Sequence, residues 1–205
     1  MNFQKLLDEE IELIKEKGIR PKLLIHACCG PCLVGVYEDI QNNLEEFNIT
    51  GMEDVDILWY NPNIHPKKEY IKRRETLVEY LKIVGKEPII LEEYDLMNFA
   101  KIAVCPKEHG FSVRCEYCYR TRLEKLFRYA KENGYTAVTT TLLISPYQRH
   151  DMMINICKEY EEKYGIKFVY KDFRVIFRKG QQRARELELY RQKYCGCIFS
   201  IDEGA

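Results

Sequence analysis

Three cysteine groupings constrain this chain more than any other feature: Cys28-Cys29-x-x-Cys32, Cys115-x-x-Cys118 and Cys195-x-Cys197. They hold seven of its nine cysteines, and two long stretches of chain separate them. In a reducing compartment disulfides are rare, so clustered thiols point to metal or redox chemistry. Four thiolates suit an iron–sulfur cluster or a structural zinc. Seven exceed what one such site needs. The surplus points to a site that does chemistry as well as bracing a fold.

The reducing compartment is itself an expectation from sequence. Met1 to Gly18 is amphipathic and Glu-rich, without the basic start and apolar block of a signal peptide. No apolar run approaches the length of a membrane span, so the partners expected do not include a membrane. A cytoplasmic location follows, and the Asn48-Ile49-Thr50 glycosylation pattern is then a chance match. At 205 residues and 46% hydrophobic, the chain is long and apolar enough to form one domain around a real core. Acidic and basic residues balance to zero, which argues against a nucleic-acid coat over the whole surface. Basic residues do concentrate locally. Lys171–Lys193 carries eight against three acidic, and Ser112–Lys131 carries six against two. Solvated helix faces are the ordinary reading of such stretches. Both adjoin cysteine motifs, however, which raises phosphate contacts around an active site.

The periodicity is that of an α/β protein. Lys22–Ala27 reads as a buried strand running into the first cysteine loop, followed by a helix from about Pro31 to Leu44. Val55–Tyr60 is a second strand, ended by Asn61-Pro62-Asn63. Asn63 to His65 can start the next helix, with Pro66 early in it and Tyr70, Leu77, Leu81 and Val84 as its apolar stripe. Pro88–Leu91, Ala137–Ile144 and Lys167–Tyr170 read as three further strands. Strands alternating with helices give a Rossmann-like open, largely parallel sheet flanked by helices, within a single domain spanning residues 1–205. The irregular segment 94–114 reads as an insertion or lid. From Glu116 to Glu132, Tyr119, Leu123, Leu126, Phe127 and Ala130 share one helical face. Cys115 and Cys118 are then expected at that helix's N-terminus, where the dipole and free amides favour thiolate.

Each motif carries its own chemistry. Cys28, Cys29 and Cys32 directly follow the first strand, where ligands bind in open α/β sheets, beyond the strand carboxyl ends. Gly30-x4-Gly35 is not followed by Lys-Ser/Thr, so the phosphate-loop signature fails. Cys115-x-x-Cys118 has metal-pair spacing, with a thioredoxin-like dithiol as the competitor. Cys195-Gly196-Cys197 permits both sulfurs to reach one metal, or to close a strained, easily reduced disulfide. Cys157 shares a helical stripe with Met153, Tyr160 and Tyr164 and reads as core. Cys105 falls in the irregular segment and is not taken as a ligand. His26 reads as a satisfied interior residue and His65 as a helix-start residue. His109 and His150 show no distinguishing pattern.

Taken in order, His26-Ala-Cys28-Cys29-Gly-Pro-Cys32, Tyr60-Asn-Pro-Asn-Ile-His65, Arg114-Cys115-x-x-Cys118-Tyr119, Thr139-Thr-Thr-Leu-Leu-Ile-Ser-Pro146 and Tyr190-Arg-Gln-x-Tyr-Cys195-Gly-Cys197 resemble the cobalamin-independent epoxyqueuosine reductase family. The resemblance covers about Lys22 to Ser200. It implies deoxygenation of epoxyqueuosine in the anticodon loop of tRNA to queuosine, the last step of queuosine biosynthesis. Its partners would be that epoxyqueuosine-containing tRNA and an external electron donor.

The expected site follows. A [4Fe–4S] cluster is assigned to Cys28, Cys29, Cys115 and Cys118 as cofactor and metal ligands. Cys195 and Cys197, with Cys32 as a third partner, are assigned to turnover. They would act either as a dithiol or as the anchor of a second iron ion that polarises the epoxide oxygen. Arg120, Arg122, Arg178, Arg183 and Arg185 are assigned to tRNA phosphates. Tyr60, Tyr119 and Tyr147 are available for stacking the modified base, although such tyrosines more often lie in cores. Two rivals stand beside this reading. One is a tRNA-binding or tRNA-thiolating protein with a four-cysteine structural zinc. The other is a soluble electron-transfer or redox-sensing module.

Overall fold

Leu23–His26 (β1) is fully buried on both faces, as a strand covered by helices on two sides must be. It lies at the centre of a five-stranded sheet with Val55–Trp59 (β2), Pro88–Ile90 (β3), Ala137–Thr140 (β4) and Lys167–Phe168 (β5) in the order β3-β2-β1-β4-β5. All four pairings are parallel. The computed structural model describes residues 21–94, 97 and 110–197. The amphipathic N-terminus and most of the expected lid, with Cys105 and His109, lie outside the described residues. No helix among the described residues is long and apolar enough to cross a membrane.

Parallel neighbours require crossover connections, and helices supply them. These are Gly30–Asn42 (α1), Lys67–Ile83 (α2), Gly110–Glu132 (α3), His150–Tyr164 (α4) and Phe177–Glu186 (α5). Leu123, Leu126, Phe127 and Ala130 of α3 are fully buried, so the stripe read from sequence is the face packed on the sheet. Cys157 is likewise buried in α4, as expected. On the other side α1 and α5 approach until their glycines touch. A Cβ built on Gly180 would lie 3.0 Å from the Gly35 Cα, so no larger residue fits at that crossing.

Most boundaries move by a residue or two from the sequence reading, and four of the differences change the local structure. The Ala137–Ile144 run ends as a strand at Thr140, because the Thr140 hydroxyl accepts a hydrogen bond from the Leu142 amide and turns Thr141–Ile144 into a 3-10 helix. Helix α2 begins at Lys67 and not within Asn63–His65, with Pro66 at its N-cap. Helix α3 begins at Gly110, about a turn and a half before Cys115. The fifth strand is only Lys167–Phe168, two residues shorter than read.

Candidate active site

In the order β3-β2-β1-β4-β5, chain direction reverses its outward progression between β1 and β4. The carboxyl ends of those two strands, His26 opposite Thr140, therefore open a crevice at the switch point. The first cysteine group sits there. Cys28 leaves β1 one residue after Ala27, and its amide donates to the Thr141 hydroxyl across the crevice at 2.9 Å. The same hydroxyl lies 3.1 Å from the Cys28 sulfur and donates to it. The sulfurs of Cys28, Cys29 and Cys32 all lie within 4.8 Å of one another. The turn that gathers them is the start of α1, where the Leu33 amide donates to the Cys29 carbonyl and Pro31 occupies the first turn. The structure thus joins Cys32 to Cys28 and Cys29, whereas the sequence assignment sets it apart with Cys195 and Cys197.

Protons are shared unequally in this knot. Hydrogen bonds from Cys29, Cys32 and Thr141 hold the Cys28 thiol well below the ordinary cysteine range, against the effect of burial. Burial pushes Cys29 up, and its hydrogen bond to Cys28 adds to that. Hydrogen bonding to Cys28 and Cys29 pushes Cys32 up, with burial adding to it. A thiol held low beside two held high suits a set able to give three thiolates to a metal, releasing their protons as it binds. Beneath it His26 is fully buried, with Nδ1 2.9 Å from the Thr140 hydroxyl and Nε2 3.1 Å from the Tyr60 carbonyl oxygen. Burial, helped by the charge of Arg122, lowers its pKa to about 4, so it is neutral at pH 7. It is the satisfied interior residue that the sequence suggests.

The second group comes from α3, whose early start changes its chemistry. Cys115 and Cys118 lie inside the helix and not at its N-terminus, so free amides do not stabilise their thiolates. Burial raises both instead, Cys118 to about 12, with the Arg122 charge opposing. Cys195 adds to the rise at both thiols, which puts the third cysteine group in the same neighbourhood. Arg122 itself is only 4% exposed. Its Nη2 donates to the Cys118 sulfur at 3.0 Å and its Nε to the Cys118 carbonyl at 3.1 Å. Arg122, assigned from sequence to tRNA phosphates, therefore lies buried against Cys118.

The third group reaches the site as an arm laid across α2. Arg73, 2% exposed and ion-paired with Glu69 at 2.7 Å, donates to the Tyr194 carbonyl at 2.9 Å. The Tyr190 hydroxyl donates to Glu69 at 2.8 Å, and the Tyr194 hydroxyl to the His65 carbonyl. The His65 amide donates to the Gly196 carbonyl at 2.9 Å. Gly196 has φ +107°, a conformation side chains rarely adopt, and a Cβ there would meet Arg73 Nη1 at 3.0 Å. Cys195 is exposed and Cys197 half-buried. Gln192 links the arm to the knot, its Nε2 lying 2.9 Å from the Cys29 sulfur and 3.8 Å from that of Cys32. His65 is buried, with Nδ1 2.8 Å from the Tyr94 hydroxyl, and lies just before α2, not inside it.

The remaining arginines lie outside the thiol site. Arg178 and Arg185 of α5 line an open cavity of about 530 Å³ with Phe177, Gln181, Gln182 and Arg191. Arg183 bonds Glu38 and Glu186, and Arg120 bonds Glu116 and Glu159. Among the three tyrosines, Tyr60 and Tyr119 are buried, while Tyr147 is 78% exposed beside Phe177. Sequence reasoning does not single out Thr141, Gln192 or Arg73. Thr141 and Gln192 lie inside two of the family-like motifs, which is the available signal. Nothing local marks Arg73.

A three-thiol knot at the switch point of a parallel sheet, with a buried arginine whose charge acts on thiols of three segments, defines a thiol-centred redox or metal protein of α/β type. Sequence comparison narrows the class. Residues 23–203 match the family profile described as epoxyqueuosine reductase QueH. A protein named epoxyqueuosine reductase QueH from Thermotoga maritima is 36% identical over 187 residues, 88% of this chain and 91% of that protein. One from Dehalococcoides mccartyi is 33% identical over 180 residues, covering 88% and 92%. One from Staphylococcus epidermidis is 30% identical over 215 residues, covering 98% and 84%. The chain belongs to the epoxyqueuosine reductase QueH family.

Proposed function

We propose that this chain reduces epoxyqueuosine in tRNA to queuosine, with its thiols holding an iron–sulfur cluster beside the reacting base. The single observation that carries the cofactor reading is the Cys28–Cys29–Cys32 knot, three sulfurs within 4.8 Å of one another. Neither a disulfide framework nor core packing asks for three such sulfurs in five residues. The soft sulfur donors on a rigid strand end suit a four-iron cluster. Cys28, Cys29, Cys115 and Cys118 would hold it, with Cys32, whose sulfur lies within 4.8 Å of those of Cys28 and Cys29, as the turnover thiol beside it. When bound, the cluster would supply electrons one at a time at a low potential.

The reaction breaks both C–O bonds of the epoxide and leaves an alkene. It consumes two electrons and two protons, and the oxygen departs as water. A Cys195–Cys197 dithiol closing to a disulfide would release both electrons and both protons, after which an external donor must reduce it. The same two sulfurs could instead anchor a second iron. In either version Arg73 and Gly196 fix where the arm lies, and Gln192 holds it against the knot. The zinc rival explains a four-sulfur site but leaves the two arm thiols without a task.

The tRNA would lie across α5 and the loop before α4. Arg178, Arg185 and Arg191 line one open cavity there, and Tyr147 offers an exposed ring for stacking, edge-on to the half-buried Phe177. Arg120 and Arg183 have exposed carboxylate partners that they can exchange for phosphate at little cost.

Anaerobically purified protein should contain iron and acid-labile sulfide, and with a reductant should convert epoxyqueuosine-containing tRNA to queuosine-tRNA. The R178E/R185E double variant should weaken tRNA affinity about tenfold or more and flatten its fall with rising salt. A colourless zinc protein without conversion would overturn the reading. Salt-independent tRNA affinity would overturn the assigned surface.

A further inference from the structure

Two arginines are buried beside the thiols, and their partners differ. Arg73 is paired with Glu69 at 2.7 Å. Arg122 is 4% exposed, and no carboxylate among the described residues is ion-paired with it. A guanidinium keeps its charge when buried, and a buried charge without a counter-charge is strongly unfavourable. Its ionisable partners are chiefly sulfurs, with the Tyr119 ring 5.9 Å away. Nη2 lies 3.0 Å from the Cys118 sulfur, and the Arg122 charge acts also on Cys28 and Cys195. Those three cysteines come from three separate segments, so Arg122 stands where the site's segments meet. Its second bond, from Nε to the Cys118 carbonyl at 3.1 Å, fixes the guanidinium plane on the turn that carries this cysteine.

We propose that Arg122 is a positioning residue of the thiol-bound cluster, the internal counter-charge that orients Cys118 and raises the cluster's reduction potential. The proposal rests on the iron–sulfur reading above. Its physical basis has two parts. Reduction adds negative charge to a group already made anionic by its thiolates, and a fixed cation stabilises the reduced form more than the oxidised one. A hydrogen bond donated to a ligating sulfur draws electron density from it and acts in the same direction. Burial shields both effects from salt.

The test is a redox titration of the whole protein, reconstituted anaerobically with iron and sulfide and followed by its visible and paramagnetic spectra. R122M should move the midpoint to more negative values. R122K should lie between R122M and the unsubstituted protein, because lysine keeps the charge but not the fork. R128M, which removes an exposed arginine from the same helix, should leave the midpoint where it was. The R122M shift should persist when salt is raised. If R122M does not retain iron, R122Q is read in its place. An unchanged midpoint in whichever neutral variant keeps the cluster overturns the proposal alone. Loss of the cluster from both neutral variants but not from R122K supports it. Loss from all three alike overturns it, because a structural role would then suffice. Absence of iron and sulfide from the unsubstituted protein would overturn the cofactor reading and this proposal with it.

Discussion

The Cys28–Cys32 knot and the Cys195–Cys197 arm carry the same side chain in different surroundings. The knot hangs from the central strand of the sheet, with Cys29 and Cys32 buried and Cys28 bonded through the Thr141 hydroxyl to the neighbouring strand end. The arm lies on the outside of α2 and is held by side-chain contacts to Arg73, Glu69 and the His65 backbone, with Cys195 exposed. A site that must hold a metal group in one geometry suits the first setting, because a packed sheet allows its atoms little movement. A site that must meet a large substrate and return to its starting redox state suits the second, because solvent, donor and tRNA can reach it. The division of roles therefore follows from surroundings and not from residue type.

The largest effect expected from this contrast is on metal content. Alanine at Cys28, Cys29, Cys115 or Cys118 should remove most iron and sulfide, as measured by chemical analysis of anaerobically purified protein. Full retention in the Cys115 and Cys118 variants would confine the metal group to the knot and break the assignment across two segments. A smaller effect is expected from Gly196→Ala, which leaves every sulfur in place. Its Cβ would sit 3.0 Å from Arg73 Nη1 in a backbone region that costs about 1–2 kcal/mol for alanine. An arm displaced by about an ångström should slow conversion by on the order of 100-fold. Iron content should not change. A Gly196→Ala protein with full activity would mean that the arm's position is not used.

Much of the fold and site is legible in the sequence because the relevant signals are local. Leu23–His26 is apolar in its first three residues and runs straight into the cysteines, and that alone places the knot at a strand end. The stripe on α3 likewise marks its buried face. The start of α3 is not legible, since Gly110–Arg114 has no apolar period and its capping-type residue, Ser112, lies inside the helix. Nor does the sequence show that Thr140 ends β4, because a run of threonines and aliphatic residues looks alike as strand or as 3-10 turn until the hydroxyl finds its amide. Arg122 misleads for a related reason. It lies in a basic stretch that suggests solvent, yet it stands four residues after Cys118 and so on the same face as the thiol. The contacts of Gln192 with Cys29, and of Arg73 with Tyr194, join residues more than a hundred positions apart, and no local pattern encodes them.

The central claim is that holding the metal group and carrying out turnover fall to different cysteines of one site. Cys195→Ala and Cys197→Ala test it most directly when conversion of epoxyqueuosine-tRNA is measured beside the four-iron spectrum and tRNA affinity of the same samples. Conversion should be abolished while the spectrum and the affinity are largely kept. Iron lost beyond the cluster's own complement would then favour a second metal on the arm over a dithiol. Loss of the cluster together with activity would make Cys195 and Cys197 ligands, and normal conversion would make them structural. Either result would contradict the account.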